Sequence, residues 1–163
     1  MESSQKVTAK VEPEEGLVVL LIGMRINKFW KVRKTVRTAV AMLNMLRELR
    51  AHPESGFLGG EQRLLGRRPI FIQYWKSYEQ MLEFANDRQG LHFPAWGKFN
   101  KTVGTNGDVG IWHEAFIVKK YENVYVNMPP QGMGRFGKLV PVGKGTFKSV
   151  QRMEAAKGEG VAV

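Results

Sequence analysis

The feature that most constrains the fold is a run of six apolar residues, 17–22, with no polar position among them. It is far too short to span a bilayer, which takes about 20 apolar residues. It is typical of a strand that is buried on both faces. Residues 70–75 are predicted to form a second strand, because they are rich in β-branched and aromatic residues. Apolar residues occupy both faces of this strand as well. Both faces of the sheet must therefore be covered.

Residues 28–51 lie between these two strands and are predicted to form a long helix. Their apolar residues recur at spacings of four, three, four and three, which places them on one helical face. These residues are Val32, Val36, Ala39, Leu43 and Leu46. A second helix is predicted to begin after Ser77, where the pattern S-x-x-Q is a capping box. A further helical piece begins near Pro94, a residue suited to a first helical turn.

Three further strands are predicted at residues 57–65, 109–118 and 122–128. The resulting order favours an α+β, ferredoxin-like β-α-β-β-α-β sheet, because neighbouring strands pair and crossovers are right-handed. Helices cover only one face of such a sheet. The apolar second face therefore predicts that the sheet of a partner subunit closes against it, as in a dimeric α/β barrel, so we expect a homodimer.

One ferredoxin-like domain is predicted at residues 16–128. Residues 1–15 are polar and lack periodicity, so they are expected to form a disordered N-terminal arm. Residues 129–163 hold most of the late glycines and show little periodicity. They are expected to form an extended or partly ordered Gly/Lys-rich C-terminal extension.

The chain of 163 residues contains no cysteine. This excludes disulfides, thiolate metal sites and cysteine nucleophiles, and it fits a reducing compartment. The first fifteen residues lack the apolar core of a signal peptide. We therefore expect a soluble, cytoplasmic protein without an integral membrane segment.

The formal net charge is +10, from 25 Lys and Arg against 15 Asp and Glu. The cations are scattered along the chain, which favours a solvated surface over a nucleic-acid footprint, and no nucleic-acid partner is expected. Aromatic and basic residues do alternate at Lys28-Phe-Trp-Lys31. That pattern suits single-stranded nucleic acid or a membrane surface, but a helix start that docks its aromatics into the core explains it equally well.

His113 is the first candidate functional residue. On a strand it shares one face with Ile111, Ala115 and Ile117, whereas Trp112 and Glu114 point the other way. An imidazole buried on such an apolar face needs a polar partner, because its burial alone costs about 1–3 kcal/mol. A haem iron, a polar group of a substrate or a backbone carbonyl would each supply that partner.

His92 is the second candidate, since it lies just before the helix predicted at Pro94. The positive end of the helix dipole disfavours imidazolium there, and a neutral ring is what a metal ligand or general base requires. The alternative is a histidine that caps the helix beside a core aromatic. His52, before Pro53, is expected to be a helix cap or a surface residue. The sequence contains no P-loop motif and indicates no Ser-His-acid set and no carboxylate pair.

Five motifs together resemble the DUF4188 proteins, a monooxygenase-like family related to a fumagillin-pathway oxygenase. They are VLLIGMRIN at 19–27, QYWKS at 73–77, LHFPAW at 91–96, GDVGIWHE at 107–114 and YVNMPP at 125–130. The resemblance spans about residues 16–140. It implies the dimeric α/β-barrel superfamily, and thus the same fold and dimer that the strand order predicts.

The resemblance also implies an activity. The superfamily includes cofactor-free monooxygenases, haem-degrading monooxygenases and haem-containing aldoxime dehydratases, all with a pocket between sheet and helices. We therefore expect a monooxygenase acting on a small, apolar substrate, with secondary metabolism as the expected setting. The cofactor is haem or none, with no other metal. His113 or His92 would be the axial ligand in one case and the base in the other.

The expected pocket walls are aromatic: Trp75, Trp96, Phe99 and Trp112. Each of these is equally well explained as plain core. Two alternatives to an oxygenase stay open from the sequence. One is a non-catalytic dimeric protein that binds haem or a hydrophobic ligand, and the other is a cofactor-free isomerase or cyclase, or a haem-dependent dehydratase, that uses the same pocket.

Overall fold

The computed structural model describes residues 6–13, 16–63, 65–87, 97, 101 and 107–155. Its main sheet has four strands: β2 (Leu17–Ile26), β3 (Phe57–Arg63), β4 (Ile70–Trp75) and β5 (Val109–Val118). Helix α1 (Val32–Ala51) connects β2 to β3, and α2 (Tyr78–Asn86) follows β4. The strand order is β3-β4-β2-β5 and every neighbouring pair is antiparallel. This is the ferredoxin-like order, so the predicted fold is confirmed.

The register assigns each strand residue to one of two faces. Val18 and Ile22 of β2 lie opposite Ile117 and His113 of β5, and they share the side on which α1 packs. We call this side the helix face. The alternate residues of β2, beginning with Leu17, lie on the second face.

The main core lies on the helix face at one end of the sheet. It joins the last turns of α1 to β2, β3, β4 and α2 through Val18, Leu46, Leu49, Phe57, Phe71, Trp75 and Met81. The end of α1 and the start of α2 follow the sequence signals. The Ser77 hydroxyl accepts from the Gln80 backbone N–H at 3.2 Å, as in a capping box. After α1, the chain turns at Pro53 and at Gly56, whose φ is +83°.

The first half of α1 is not buried. Its apolar stripe continues the line of Leu46 and Leu49, but its side chains are 41–60% exposed. They are Val32, Val36, Val40 and Leu43. The helical periodicity is therefore correct along the whole helix, while only its second half packs into the core.

A second sheet involves the N-terminal residues. Strand β1 (Lys6–Lys10) lies between β6 (Tyr125–Val126) and β7 (Lys138–Pro141), and both pairs are antiparallel. The expectation of a disordered arm at residues 1–15 is therefore wrong for Lys6–Lys10. The predicted strand at 122–128 is reduced to two residues and joins this sheet rather than the main one. Local periodicity could not reveal these pairs, because each partner strand lies near the other end of the chain.

The C-terminal extension has more structure than its composition predicts. A 3-10 turn at Gly132–Arg135 is followed by β7 and by a last helix, α3 (Ser149–Ala155). The Phe136 ring packs on Tyr74, with 5.2 Å between ring centroids. Met133 and Phe136 also pack against the cluster of buried residues around Leu17 on the second face. The chain's own C-terminal segment thus covers part of the face that a partner was expected to cover.

A buried arginine in α3 connects the C-terminal extension to the segment that precedes it. Arg152 is 8% exposed, and its guanidinium contacts the carboxylate of Glu122. It also donates to the carbonyls of Thr146 and Phe147, at 3.1 and 2.7 Å.

Among the described helices, none has both the length and the apolar character needed to cross a bilayer.

Candidate functional site

His113 lies in the middle of β5, directly opposite Ile22 of β2. Its side chain projects from the helix face together with Ile111 and Ala115, as strand alternation predicts. The imidazole is exposed, so the burial cost expected from the sequence does not apply. Within the described ranges, no side chain forms a hydrogen bond or ion pair with its ring. The histidine is therefore presented on an apolar surface with its nitrogens available to a ligand.

The two described tryptophan candidates do not line one pocket with His113. Trp75 is on the helix face but only 2% exposed, between Phe57 and Phe84 in the core. Its indole N–H donates to the Gln73 side chain at 3.0 Å. Trp112 lies on the second face, because it pairs with Gly23. Trp75 is thus core, and Trp112 is separated from His113 by the sheet.

Three other candidates, His92, Trp96 and Phe99, lie outside the described residues, and their roles stay predictions. His52 follows the last turn of α1, as expected for a helix end. Its Nδ1 lies 2.7 Å from Glu54 Oε1, and both side chains are exposed. The pKa of the Glu54 carboxyl is lowered by a backbone hydrogen bond and by the His52 ring. This contact belongs to the surface and suggests no chemistry.

A buried polar cluster lies on the second face and was not predicted from the sequence. Glu61 of β3 is 8% exposed and lies 2.5 Å from Arg63 Nη2, while its other oxygen accepts from the Gly132 backbone N–H. Arg63 also donates to the Gln131 side chain. The cluster ties β3 to the C-terminal segment. The one signal in the sequence was an acidic residue directly after two glycines in a strand.

Two tyrosines border this cluster and are held in their neutral form. Burial raises the pKa of Tyr74, and the nearby negative charge of Glu61 raises it further. Burial likewise raises the pKa of Tyr125, although its hydroxyl accepts a 2.8 Å hydrogen bond from the Gly134 backbone, which acts in the opposite direction. We therefore assign the cluster a structural role, since a neutral phenol beside a paired carboxylate is a stable arrangement.

A groove of about 410 Å³ lies beside the free edge of β3. Its walls come from the end of α1, the two glycines of β3 and the C-terminal segment, and they include Leu49, Phe57, Glu61 and Phe136. Of the predicted site residues that the structure describes, His113, Trp75 and Trp112, none lines this groove. Among the residues that the structure describes, no three His, Asp or Glu side chains are grouped in a way that could hold a metal ion.

Fold and site together define a ferredoxin-like α+β domain with an exposed histidine on the helix face of its sheet. The chain belongs to the Monooxygenase af470-like family, whose model matches residues 17–133. It is 35% identical over 137 residues to Monooxygenase af470 of Aspergillus fumigatus. That match covers 76% of this chain and 48% of the relative, so the chain spans about half the relative's length.

Solved structures with a similar fold have TM-scores of 0.40 to 0.43. A conserved protein of unknown function from Bacteroides thetaiotaomicron, described as a possible oxidoreductase, is 10% identical; the match covers 64% of this chain and 99% of that one. SnoaB, a cofactor-independent oxygenase from Streptomyces nogalater, is 12% identical, with coverages of 65% and 96%. A dimeric ferredoxin-like protein from an uncultured marine organism is 12% identical, with coverages of 63% and 94%.

Proposed function

We propose that this protein is a monooxygenase for a small, apolar substrate, and that His113 contacts the reacting part of that substrate. Membership of the Monooxygenase af470-like family supports the reaction class. The observation that carries the site is the exposed imidazole on an apolar strand face. Because the chain spans about half of the relative's length, the activity of that relative is extended to this chain as a proposal.

The apolar surroundings of His113 favour a substrate with little charge. Ile117, further along the same face, is 66% exposed. The stripe of α1 at Val36, Val40 and Leu43 is also exposed, and it lies on the same side of the sheet. Apolar surface that stays in contact with water is a favourable place for an apolar ligand, at about 25 cal/mol per Å² buried. We propose that the substrate binds between this stripe and β5.

Without a cofactor, His113 would act as a general base. Its imidazole would remove a proton from a methylene group that is acidified by a conjugated or adjacent carbonyl, and the resulting carbanion would reduce O2. Overall, the methylene group and one molecule of O2 give a ketone and one molecule of water. The substrate supplies all four electrons, one oxygen atom enters the product, and the other leaves as water together with the two hydrogens lost from carbon. No external reductant is needed.

The residues present also fit haem in one respect. Haem iron can be held by one imidazole, and His113 would offer such a ring on the apolar helix face. Haem would supply an iron centre for oxygen chemistry, and His113 would hold it. His92 stays the second candidate for either role.

We also propose that the protein is a homodimer. The second face keeps apolar side chains in contact with water beyond the part that Phe136 covers, among them Phe116, which is 49% exposed, and Trp112, which is 37% exposed. Val19 and Leu21 of β2 lie on the same face and are only partly buried. A second copy packed against this area would bury them. Sedimentation velocity tests this, with a Phe116→Lys variant expected to be monomeric.

Oxygen uptake tests the activity. With anthrone and indandione as activated methylene substrates, the wild-type chain is expected to consume O2, and His113→Ala is expected to lose about 100-fold in kcat/KM. Glu114→Gln is the matched control, because Glu114 is the next residue on β5 but projects from the opposite face. Activity retained in His113→Ala would remove this residue from the mechanism.

The cofactor is tested separately by adding haem to the purified protein. A Soret band that is lost in His113→Ala but kept in Glu114→Gln would support axial ligation by His113. Tight binding of the substrates without any oxygen uptake would instead favour a non-catalytic ligand-binding protein.

A further inference from the structure

Two loops meet at one end of the main sheet and expose apolar side chains. Phe29 and Trp30, in the loop before α1, are 64% and 62% exposed, with their rings edge to face at 5.1 Å. Leu65, in the turn between β3 and β4, is 59% exposed. The end of β2, from which the first loop leaves, is joined to the second loop by a 2.9 Å hydrogen bond from the Ile26 N–H to the Arg67 carbonyl. Of the explanations that the sequence left open for this pattern, docking of the aromatics into the core is therefore wrong.

Cations surround these apolar side chains. The Arg67 guanidinium lies 5.8 Å from the centre of the Phe29 ring. Residues 25–37 contain six Lys and Arg and no acidic residue, and residues 65–68 contain two Arg and no acidic residue. The nearby acid, Asp108, is buried and lies 2.8 Å from Lys28 Nζ. We call the exposed set of Phe29, Trp30, Lys31, Leu65, Arg67 and Arg68 the basic-aromatic tip.

We propose that the basic-aromatic tip docks on the surface of a membrane that contains anionic lipids. Aromatic rings and leucine insert at the boundary between headgroups and acyl chains, while adjacent cations pair with anionic headgroups. The tip presents both kinds of group on two neighbouring loops. This would be peripheral binding and does not involve a membrane-spanning helix.

The composition of the tip favours lipid over other partners. Single-stranded nucleic acid stacks its bases on aromatic faces, but Leu65 and the neighbouring Val32, which is 60% exposed, offer nothing to stack on. A second copy of the chain bound through the same surface would bring Arg67 and Arg68 against one another's like charges. An anionic bilayer accommodates aliphatic, aromatic and cationic side chains together.

Cosedimentation of the full chain with vesicles tests the proposal. Binding is expected with phosphatidylcholine–phosphatidylserine vesicles, and much less with phosphatidylcholine alone, and it should weaken as salt is raised. The double variant Phe29→Ser/Trp30→Ser is expected to lower the partition coefficient about tenfold or more. Arg67→Gln/Arg68→Gln is expected to lower it about thirtyfold, because each cation near an anionic surface contributes to binding.

Matched controls lie away from the tip. Lys119→Gln/Lys120→Gln removes two exposed cations after the opposite end of β5, and Phe147→Ser removes an aromatic that is 67% exposed. Both should bind vesicles as the wild type does. Thermal unfolding confirms that each variant is folded.

Three results would overturn the proposal. One is no cosedimentation with either kind of vesicle. Another is an equal loss of binding in the control variants. The third is that Phe29→Ser/Trp30→Ser leaves vesicle binding intact but abolishes binding to a single-stranded oligonucleotide or self-association, which would assign the tip to nucleic acid or to a second copy.

Discussion

Gly23 of β2 and Trp112 of β5 face each other on the second face of the sheet, and the indole ring fills the space that a side chain at position 23 would need. A Cβ at this position would lie 2.1 Å from both Cε2 and Nε1 of Trp112. The absence of a side chain at Gly23 therefore sets the position of the tryptophan, and with it the shape of the apolar area proposed for dimer contact.

Gly23→Ala is expected to destabilise the fold by about 1–3 kcal/mol, because the Trp112 ring must leave its position. Urea unfolding measures the loss. Gly110→Ala is the control, since its new Cβ would meet its nearest atoms, on Arg25 and Asn27, at an ordinary 3.8 Å. Adding Trp112→Ala should reduce the cost of Gly23→Ala. Equal costs with and without the tryptophan would contradict the steric explanation.

Asn123 holds the N-terminal strand just before β6. Its side chain accepts from the Ala9 N–H at 2.6 Å and donates to the Ala9 carbonyl at 2.9 Å, as a neighbouring strand would. Asn123→Ala leaves both groups of buried Ala9 without these partners, so a loss of about 1–3 kcal/mol is expected in urea unfolding.

The matched control for Asn123 is Asn86→Ala, which removes one exposed hydrogen bond to the Leu82 carbonyl. Its effect on the free energy of unfolding should stay below about 0.5 kcal/mol. If Asn123→Ala is as mild as this control, then β1 is held by its strand pairs alone.

Arg152 is expected to control the order of the C-terminal helix α3. Arg152→Met leaves the Glu122 carboxylate and the carbonyls of Thr146 and Phe147 without their donor. Loss of a buried partner of this kind costs about 3 kcal/mol. The loss should be local, so faster amide exchange is expected at residues 149–155, with little change in the main sheet.

Arg152→Lys should not restore protection, because one ammonium group cannot reproduce the guanidinium fork that reaches a carboxylate and two carbonyls. Lys148→Met, an exposed position in the same segment, is the control. Unchanged exchange in Arg152→Met would show that α3 is held by other contacts.

The sequence predicted those elements whose pattern is local. The bounds of β4 and β5, the helical stripe of α1 and the cap at Ser77 all follow from the periodicity or chemistry of neighbouring residues. The pairs that β1 forms with β6 and β7 could not be predicted in this way, since nothing near Lys6–Lys10 indicates a partner at the other end of the chain.

The candidate site shows the same limit. Strand alternation correctly placed His113 on the apolar face that Ile111 shares. Its exposure could not be predicted in this way, because it depends on how distant elements pack over the strand and not on the alternation of the strand itself. The same distinction applies to Phe29 and Trp30, because an aromatic residue at a helix start carries no local mark of being buried or exposed.

The raised pKa of Tyr74 predicts a loss of stability in alkali. Burial and the Glu61 charge raise the pKa of this phenol in the folded state above its unfolded value of about 10. Its contribution is therefore fully present below about pH 10 and is lost as pH rises from there through the folded-state pKa. Tyr74→Phe cannot titrate, so its free energy of unfolding should fall less steeply over that interval than that of the wild type.

Urea midpoints measured on both sides of about pH 10 test this, with Tyr78→Phe, an exposed tyrosine, as control. If Tyr74→Phe and the wild type lose stability in parallel, then proton release from Tyr74 does not contribute to alkaline unfolding.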